Sequence, residues 1–240
     1  MPAQTRGGGS VTPIVVGAAV AILAIVAVVA GVVINGRTAQ EGAGSSTAVP
    51  AAAGGMGEGF VANADVKLLA GAPTLDIYED FQCPACAEFE QVMGATIRDL
   101  AAQGRIKLVY HLKTIIDANV GVEHSLMMGN AAICAADAGK FQAFHDEVFA
   151  HVPAQTGQGW SAAQTKAFAV NAGVSGEALE AWTACVDERT YATYVESTEE
   201  ASAKAGINGT PTVLLAGEKV DFTQVSTAAA LVQAIEGATK

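Results

Sequence analysis

The apolar positions of this chain follow three different patterns. Residues 14–34 form one apolar run without a charged residue, long enough for a helix to cross a hydrocarbon layer of about 30 Å. Residues 35–60 have no apolar period and are rich in Ala, Gly and Ser, a composition that does not bury a core. From 61 to 240, short strand patterns and amphipathic helix patterns follow one another. We therefore expect a short segment over 1–13, one membrane span, a flexible linker and one folded domain.

The apolar run also fits a cleaved secretory signal peptide. Such a peptide usually has an apolar stretch of about 7–15 residues and a small-residue cleavage site soon after it. Here the stretch is longer, and Asn35-Gly36-Arg37 follows directly, so an uncleaved anchor is favoured. The charges of Arg6 and Arg37 nearly balance across the span. The short N-terminal flank and the cysteine content of the domain therefore decide the orientation, with residues 1–13 in the cytoplasm and the domain outside.

The folded domain begins with the pattern of a β-α-β unit. Residues 75–78 and 106–112 are strand candidates. Between them, apolar residues recur at helical spacing from Pro84 onward, and Gly104 ends the helix. The residues of this expected apolar face are Phe89, Val92, Met93, Ile97 and Leu100.

The second half of the domain predicts a helical insertion. Residues from about 117 to 205 carry a series of helix patterns. Two short strand candidates, 212–216 and 219–222, follow, and a helix over about 227–235 comes last. The order is therefore β-α-β, a helical insertion and β-β-α, which is an α/β fold.

The charge of the chain argues against a nucleic-acid partner. Thirteen Lys and Arg stand against 24 Asp and Glu, the net charge is −11, and the sequence has no basic cluster. Nucleic-acid binding depends on neutralising phosphates with Lys and Arg. We therefore expect no nucleic-acid partner and a well-solvated acidic surface.

Two of the four cysteines lie where a strand candidate meets a helix candidate, in the run Cys83-Pro84-Ala85-Cys86. At the first turn of a helix, free N–H groups and the positive end of the dipole stabilise an anion. A cysteine there has a lowered pKa and acts as a nucleophile, and Pro84 suits the first turn because it has no N–H to satisfy. Cys86, one turn further, is placed to attack a mixed disulfide at Cys83. The pattern predicts a redox pair, with Cys83 as the exposed attacking residue and Cys86 as the buried resolving residue.

Other uses of a CxxC pair fit less well. A structural zinc site needs a second ligand pair, which the sequence lacks. Attachment of c-type haem needs a His after the second cysteine, where this chain has Ala87. A purely structural disulfide stays an alternative. We expect no metal and no cofactor, because no metal-ligand spacing is found among His111, His124, His145 and His151.

Two segments resemble the DsbA-like branch of the thioredoxin superfamily. The run Tyr78-Glu79-Asp80-Phe81-Gln82-Cys83-Pro84-Ala85-Cys86 resembles its active-site strand and helix, and Gly209-Thr210-Pro211-Thr212 resembles its cis-proline loop. The resemblance covers about 61–240, including the insertion at about 117–205. It implies a thioredoxin-like α/β fold with a helical insertion, here preceded by one transmembrane helix. It also implies a cis bond before Pro211 and backbone groups of Thr210 that pair with a substrate peptide.

The resemblance implies a dithiol oxidase on the outer side of a cell membrane. Its Cys83–Cys86 disulfide would pass to unfolded or reduced secreted proteins, and a membrane partner would reoxidise it. The dipeptide Pro84-Ala85 lacks the imidazole that helps the strongest oxidants, so a reductase or isomerase of the same fold is an alternative. A tethered peptide-binding module with an idle disulfide is an alternative from another class.

The remaining cysteines, Cys134 and Cys185, both fall in the helical insertion. Outside the cytoplasm they are expected to form a structural disulfide that closes a loop of about 50 residues. Two separate buried thiols are the alternative.

One position departs from the thioredoxin pattern. Thioredoxin-like proteins often carry a buried acid six residues before the first cysteine, where this chain has Ile77. The neighbouring carboxylates are Asp76 and Glu79, and the sequence leaves open which of them, if either, assists Cys86.

Overall fold

The computed structural model describes residues 46–239, so the predicted segments 1–13 and 14–34 lie outside the described residues. No helix within 46–239 is long and apolar enough to cross a membrane. The described chain contains a five-stranded sheet, with strands β1 (Phe60–Val61), β2 (Thr74–Glu79), β3 (Lys107–Leu112), β4 (Thr212–Leu215) and β5 (Glu218–Lys219). Their order across the sheet is β1-β3-β2-β4-β5.

Strand β2 lies at the centre of the sheet and leads to the cysteine pair. It runs parallel to β3 and antiparallel to β4, with Ile77 opposite Tyr110 on one side and opposite Val213 on the other. Parallel pairing requires a crossover connection, which the first helical segment supplies. Leu75 and Ile77 are fully buried, so the strand is held in the core up to the residues that precede Cys83.

The helices of the described chain fall into three groups. The first group joins β2 to β3, the second forms the insertion, and one helix follows β5. They are α1 (Pro84–Phe89), a π-helical turn (Glu90–Gly94), α2 (Ala95–Ala102), α3 (Ile115–Val120), α4 (His124–Asp137), α5 (Phe141–Phe149), α6 (Ala162–Asn171), α7 (Glu177–Asp187), α8 (Ala192–Lys204) and α9 (Ala228–Ala238). The β-α-β, insertion and β-β-α order expected from the pattern is thus observed.

The face that the first helical segment buries differs from the expected one at one position. Met93, Ile97 and Leu100 are buried, but Val92 is 54% exposed. Glu90 is buried in its place. The buried face follows residues that lie four positions apart along the helix. Val92 lies outside this face, and Glu90 lies within it.

The insertion packs around helix α4. This helix contacts α5, α7 and α8, and ten of its residues are buried. A helix that is apolar on nearly all sides needs partners on all sides, which explains why the insertion is a cluster of helices and not a single crossover.

The folded domain begins earlier than the sequence predicted, because residues 46–60 pack onto it. The N–H of Val61 donates to the carbonyl of Ala52 (2.9 Å), and the Tyr194 hydroxyl donates to the carbonyl of Glu58 (2.8 Å). Gly59 lies where a Cβ would come within 2.7 Å of the His111 ring. The linker prediction over 35–60 is therefore wrong for 46–60. Gly59 allows a close approach, and Ala48, Ala52 and Ala53 pack against the core. Composition alone does not distinguish such packing from flexibility.

Candidate active site

Cys83 lies at the junction of strand and helix, as its neighbours require. It occupies the N-cap of α1, with extended φ/ψ of −80° and 116°, and Pro84 follows at the first helical position. Its carbonyl accepts the N–H of Cys86 (3.1 Å). Both side chains are free thiols. This is the arrangement that stabilises an anion on the first cysteine of the pair.

The two thiols have opposite electrostatic environments. A hydrogen bond from the Cys86 thiol, assisted by Thr210 and by the backbone N–H groups of Ala85 and Cys86, lowers the pKa of Cys83 to about 6 against the opposing effect of burial. Burial, the Cys83 thiol and the charge of Glu79 raise the pKa of Cys86 well above its ordinary value. At neutral pH the pair therefore holds one thiolate and one thiol.

Exposure of the pair differs from the sequence expectation for one member. Cys86 has no exposed surface, as expected, but Cys83 is also buried, at 7% exposure. The loop that precedes β4 is the physical reason, since the Thr210 carbonyl oxygen lies 3.5 Å from the Cys83 Sγ. The neighbouring Pro84 and Ala85 are exposed, so the surface beside the sulfur is open although the sulfur itself is largely covered.

The loop that covers Cys83 contains a cis peptide bond between Thr210 and Pro211. Pro211 is followed directly by β4, and the Thr212 hydroxyl donates to the carbonyl of Gly209 (2.9 Å). Thr210 and Pro211 are separated from Cys83 by more than 120 residues of chain, yet the sheet brings them together because β4 is the neighbour of β2.

A buried polar network fastens the loop between β2 and Cys83 to the insertion. The Ser125 hydroxyl donates to Asp80 (2.6 Å), and the Gln82 amide donates to Asp117 (2.8 Å) and to Ser125 (2.7 Å). Asp117 in turn accepts the N–H of Ser125 at the start of α4 (3.0 Å). Burial raises the pKa of Asp80 to about 6. The network ties the position of the cysteine loop to the start of α4.

Glu79 is the carboxylate that the structure places beside the buried thiol. It is 1% exposed, and its charge contributes to the raised pKa of Cys86. Ile77 and Glu79 are two residues apart on β2, so their side chains share a face of the sheet. Thioredoxin-like proteins often carry a buried acid six residues before the first cysteine, and in this chain the buried acid on that face lies two residues closer to Cys83. The i, i+2 alternation was the sequence signal for this, and Asp76 lies on the other face, 3.0 Å from His111.

Glu79 is paired with a residue that the sequence analysis left without a role. His145 Nε2 lies 2.7 Å from Glu79 Oε1, and neither side chain has more than 1% exposure. Burial lowers the pKa of His145, but the charge of Glu79 and the hydrogen bond to Asp146 outweigh it and raise that pKa to about 10. His145 is therefore an imidazolium in an internal ion pair. No sequence spacing indicates this pair, because its members are 66 residues apart.

Glu90 completes this group, which we call the buried charge cluster (Glu79, Glu90 and His145). Burial, together with the charge of Glu79, raises the pKa of Glu90 to about 7, although His145 and Arg98 oppose the shift. Within the described residues, Glu79 Oε2 and Glu90 Oε1 are buried without a hydrogen-bond partner. The cluster therefore contains two unused acceptor atoms close to an imidazolium.

The buried charge cluster also has the spacing of a metal site, since one ligand atom from each residue lies within 4.8 Å of the others. Its single nitrogen donor, Nε2 of His145, is however engaged with Glu79 Oε1 at ion-pair distance. A coordinating imidazole must be neutral, whereas His145 is held in its charged form. The arrangement fits an ion-pair cluster better than a metal centre.

A partly buried ion pair fastens the other side of the site. Lys113, at the end of β3, donates from Nζ to Glu199 Oε1 and to the carbonyl of Ile207, both at 3.0 Å. Glu199 also accepts the N–H of Thr114 (2.8 Å). Because Ile207 precedes the Thr210–Pro211 bond by three residues, this pair links β3 and α8 to the loop that covers Cys83.

The other two cysteines are joined to each other. Cys134 and Cys185 form a disulfide between α4 and α7 with an S–S distance of 1.97 Å and a Cα–Cα distance of 5.9 Å. Cys134 is 2% exposed. The structure therefore has the bonded arrangement and not the alternative of two separate thiols.

The chain is similar to known proteins in sequence and in structure. A family model described as thioredoxin (Thioredoxin_4) matches residues 70–236. Among curated proteins, none matches.

Solved structures with the same fold include two mycobacterial oxidoreductases. Oxidised DsbA of Mycobacterium tuberculosis has a TM-score of 0.60 and 29% identity, over 72% of this chain and 88% of that chain. The reduced disulfide bond oxidoreductase DsbG of Mycobacterium tuberculosis has a TM-score of 0.60 and 30% identity, over 71% of this chain and 83% of that chain.

A third similar structure is MdbA of Actinomyces oris, a thiol–disulfide oxidoreductase. It has a TM-score of 0.60 and 28% identity, over 69% of this chain and 80% of that chain. A family match over most of the chain, these neighbours and a free Cys83–Cys86 pair at a strand-to-helix junction agree with one another. The chain belongs to the thioredoxin family and is a DsbA-like thiol–disulfide oxidoreductase.

Proposed function

We propose that this oxidoreductase introduces disulfides into reduced secreted proteins outside the cytoplasm. Cys83 forms the mixed disulfide with the substrate. Cys86 is the leaving thiolate, and it forms the disulfide with Cys83 again when the enzyme is reoxidised. The enzyme works as an oxidant, so its Cys83–Cys86 disulfide is consumed in each cycle and must be restored.

The observation that carries this proposal is the contrast between the two thiols. The pKa of Cys83 is lowered to about 6, mainly by a hydrogen bond from Cys86. A thiolate that is stabilised in this way favours the reduced form over the disulfide, which makes the disulfide a stronger oxidant. The pKa of Cys83 is lowered from 9.0 to about 6. The thiolate therefore stabilises the reduced enzyme fully above pH 9, and this stabilisation is lost as pH falls through 6.

The proposed exchange balances as follows. A substrate thiolate attacks the Sγ of Cys83, the Cys83–Cys86 bond breaks, and Cys86 leaves with the electron pair and takes up a proton. The second substrate thiolate then attacks the substrate sulfur of the mixed disulfide, and Cys83 leaves as a thiolate. The substrate loses two electrons and two protons. The enzyme gains two electrons and one proton, on Cys86, and the other proton goes to solvent.

The substrate is proposed to bind as an added strand along the Thr210–Pro211 loop. An extended peptide pairs with exposed backbone groups and needs no particular side chain, which suits an enzyme that accepts many unfolded proteins. The Thr210 carbonyl is already within 3.5 Å of the Cys83 sulfur. A cysteine of a peptide bound there would therefore lie close to Cys83.

The proposed location rests on the other cysteines and on the N-terminal pattern. A disulfide that closes a structural loop persists in oxidising compartments and is rare in the cytosol, and Cys134–Cys185 is of this kind. Residues 14–34 would anchor the chain in the membrane as a single-pass protein. A reoxidising partner would then lie in the same membrane to which the enzyme is anchored.

The reduction potential of the full chain tests the direction of the reaction. The chain is equilibrated in glutathione buffers, and the Cys83 thiol is measured by labelling, with the Cys134→Ala/Cys185→Ala variant confirming that only one pair titrates. A potential of about −180 mV or higher supports an oxidant. A potential of about −270 mV would make the enzyme a reductase.

A substitution separates exchange from simple peptide binding. Cys83→Ser removes the attacking sulfur, and it leaves the loop of Thr210 and Pro211 unchanged. The variant is expected to lose oxidation of a reduced two-cysteine protein entirely. Retained function in Cys83→Ser would mean that the domain acts as a tethered binding module and not by thiol exchange.

A further inference from the structure

The helical insertion contains a cavity whose lining comes from α4, α6, α7 and the segment that leads into α6. Its volume is about 450 Å³, within the range of about 300–1,000 Å³ that is usual for small-molecule sites. None of its lining residues belongs to the cysteine pair, the Thr210–Pro211 loop or the buried charge cluster. The exchange at Cys83 therefore does not account for this cavity.

We propose that the cavity binds a small organic anion with an apolar body, of the class of arylalkyl carboxylates. The apolar body lies against the side chains of Trp160 and Trp182, and the carboxylate faces Lys166 and Arg189.

The apolar part of the lining offers aromatic surface. Both tryptophans of the chain line the cavity. Trp182 donates its indole N–H to the carbonyl of Ala131 (3.0 Å), and Trp160 donates its indole N–H to the carbonyl of His151 (2.8 Å). Because the protein already satisfies both N–H groups, the two rings can contact an apolar body without leaving a polar atom unpaired.

The shape of the cavity is fixed before a ligand arrives. The disulfide between Cys134 and Cys185 joins α4 to α7, the two helices that supply much of the lining. Gly159 has a φ of +62°, and a Cβ at this position would overlap the ring of His124 at the start of α4. Glycine there lets the segment that carries Trp160 approach α4 closely. A preformed site loses less conformational freedom on binding than one that must be assembled.

The charge of the lining is opposite in sign to that of the chain. The chain has a net charge of −11, whereas the cavity is lined by Lys166, Arg189 and the imidazole of His124, with Asp187 as its one acidic residue. Arg189 uses Nη1 to pair with Glu123 (3.0 Å), and its guanidinium has further N–H donors. Among the described residues, Lys166 has no hydrogen-bond or ion-pair partner. Lys166 can therefore bind a ligand carboxylate without giving up a contact.

Arg189 stands where the backbone favours another residue. Its φ is +54°, in the left-handed region that glycine adopts more easily than arginine. The contact with Glu123 explains little, because both side chains are largely exposed and exposed pairs contribute little to stability. Recognition of an anion in the cavity gives the guanidinium a use that offsets the strained backbone.

The lining favours a small molecule over an extended peptide. The three elements that supply most of it are helices, and the main-chain groups inside a helix are already bonded to one another. An extended peptide would lose its own hydrogen bonds to water there and would find no strand edge to replace them. A compact anion needs only the apolar surface and the side-chain cations.

Quenching of the two tryptophans locates the ligand. The full chain is titrated with 4-(4-bromophenyl)butyrate, whose bromine quenches indole fluorescence on contact. We expect saturable quenching in the wild type. We expect it also in Trp160→Phe and in Trp182→Phe, each of which keeps one of the two reporters. The uncharged amide of the same body should bind about fivefold more weakly, because a contact with exposed cations contributes up to this factor.

Lys166→Met tests the recognition of charge. Lys166 is exposed, so the variant is expected to fold normally, which circular dichroism checks. It should bind the carboxylate about threefold more weakly and the amide as the wild type does, whereas Lys166→Arg should keep the preference for the carboxylate. Lys204→Met is the matched control, since Lys204 is an exposed lysine of α8 outside the cavity lining. It should change neither affinity.

Several results would overturn the proposal. One is the absence of saturable binding, and another is binding by calorimetry that quenches neither tryptophan, because the ligand would then lie elsewhere. Equal affinity for the carboxylate, the amide and the corresponding amine would show an apolar cavity without selection for charge. Tighter binding of the amine would assign the cavity to a cation beside Asp187. Tighter binding of a short peptide that ends in phenylalanine would assign it to a protein partner.

Discussion

The ammonium of Lys113 lies 3.0 Å from the carbonyl oxygen of Ile207 and has no exposed surface. Its other partner, Glu199, is 25% exposed. A buried cation is thus used to hold the backbone three residues before Thr210. Since Thr210 covers Cys83, this contact connects the interior of the domain to the proposed substrate surface.

Lys113→Met is expected to loosen the loop that carries Thr210 and Pro211. The substitution leaves the carbonyl of Ile207 and the partly exposed carboxylate of Glu199 without their donor. A buried acceptor left unsatisfied costs about 1–3 kcal/mol, and the unfolding free energy in urea should fall by that amount. The KM for a reduced protein substrate should rise, with the pKa of Cys83 little changed. Lys204→Met is the control, because Lys204 pairs with Glu200 on the exposed surface, and no change is expected from it. An unchanged KM in Lys113→Met would contradict a role in positioning the loop.

Cys86 is expected to control the acidity of Cys83. The hydrogen bond from Cys86 makes the largest contribution to the lowered pKa of Cys83, which is about 6. Cys86→Ala removes this donor and should raise that pKa, whereas Cys86→Ser keeps a hydroxyl donor and should raise it less. Thiolate absorbance at 240 nm, followed against pH, measures both. Equal values in the two variants would mean that the helix N–H groups and Thr210 lower the pKa without a contribution from the Cys86 side chain.

The ion pair between His145 and Glu79 should appear in the pH dependence of stability. The pKa of His145 is raised from 6.5 to about 10 in the folded chain, so its contribution is complete below pH 6.5 and is lost as pH rises through 10. The difference in unfolding free energy between the wild type and His145→Gln is expected to be about 3–5 kcal/mol at pH 6 and smaller at pH 9.5. His151→Gln, at an exposed histidine, is the control. A difference that grows with pH would refute the charged state.

The Cys134–Cys185 disulfide is expected to stabilise the insertion. It closes a separation of 51 residues, which corresponds to about 4 kcal/mol on the chain-entropy model. The Cys134→Ala/Cys185→Ala variant should lose that much unfolding free energy. Trp182 reports on it by fluorescence, because its indole donates to the carbonyl of Ala131 between the same two helices (3.0 Å). Cys83→Ala/Cys86→Ala should not show this loss, and a similar loss there would argue against a structural role.

Gly94→Ala tests the packing of the buried charge cluster without altering a charged group. Gly94 has helical φ/ψ of −57° and −45°, so alanine suits the backbone and would normally add up to about 1 kcal/mol of helix stability. Here its Cβ would meet the Glu90 carboxylate. We expect a net loss of unfolding free energy instead, and the loss should be smaller in a Glu90→Ala background. A stabilised Gly94→Ala would show that the carboxylate moves without cost.

The sequence predicted the cysteine site well because its signals are local. Pro84 and the flanking strand and helix patterns define the N-cap position of Cys83 within a few residues. The Thr210–Pro211 loop was predicted from resemblance, and its contact with Cys83 follows once β4 is known to neighbour β2. Composition was a poorer guide at residues 46–60, where Ala and Gly indicated a linker and the structure uses them for close packing.

What the sequence determined by itself is the order of the elements, the position of Cys83 and Cys86 at a helix start, and the family. These depend on periodicity, turn chemistry and short motifs, which act between residues close in the chain. Only the tertiary structure decided that Glu79 is the acid beside Cys86, that His145 holds its charge in the core, and that Thr210 covers Cys83. Those relationships join residues far apart in sequence. They exist because packing removes water from between them, and the resulting low dielectric makes each charge depend on neighbours that no local pattern specifies.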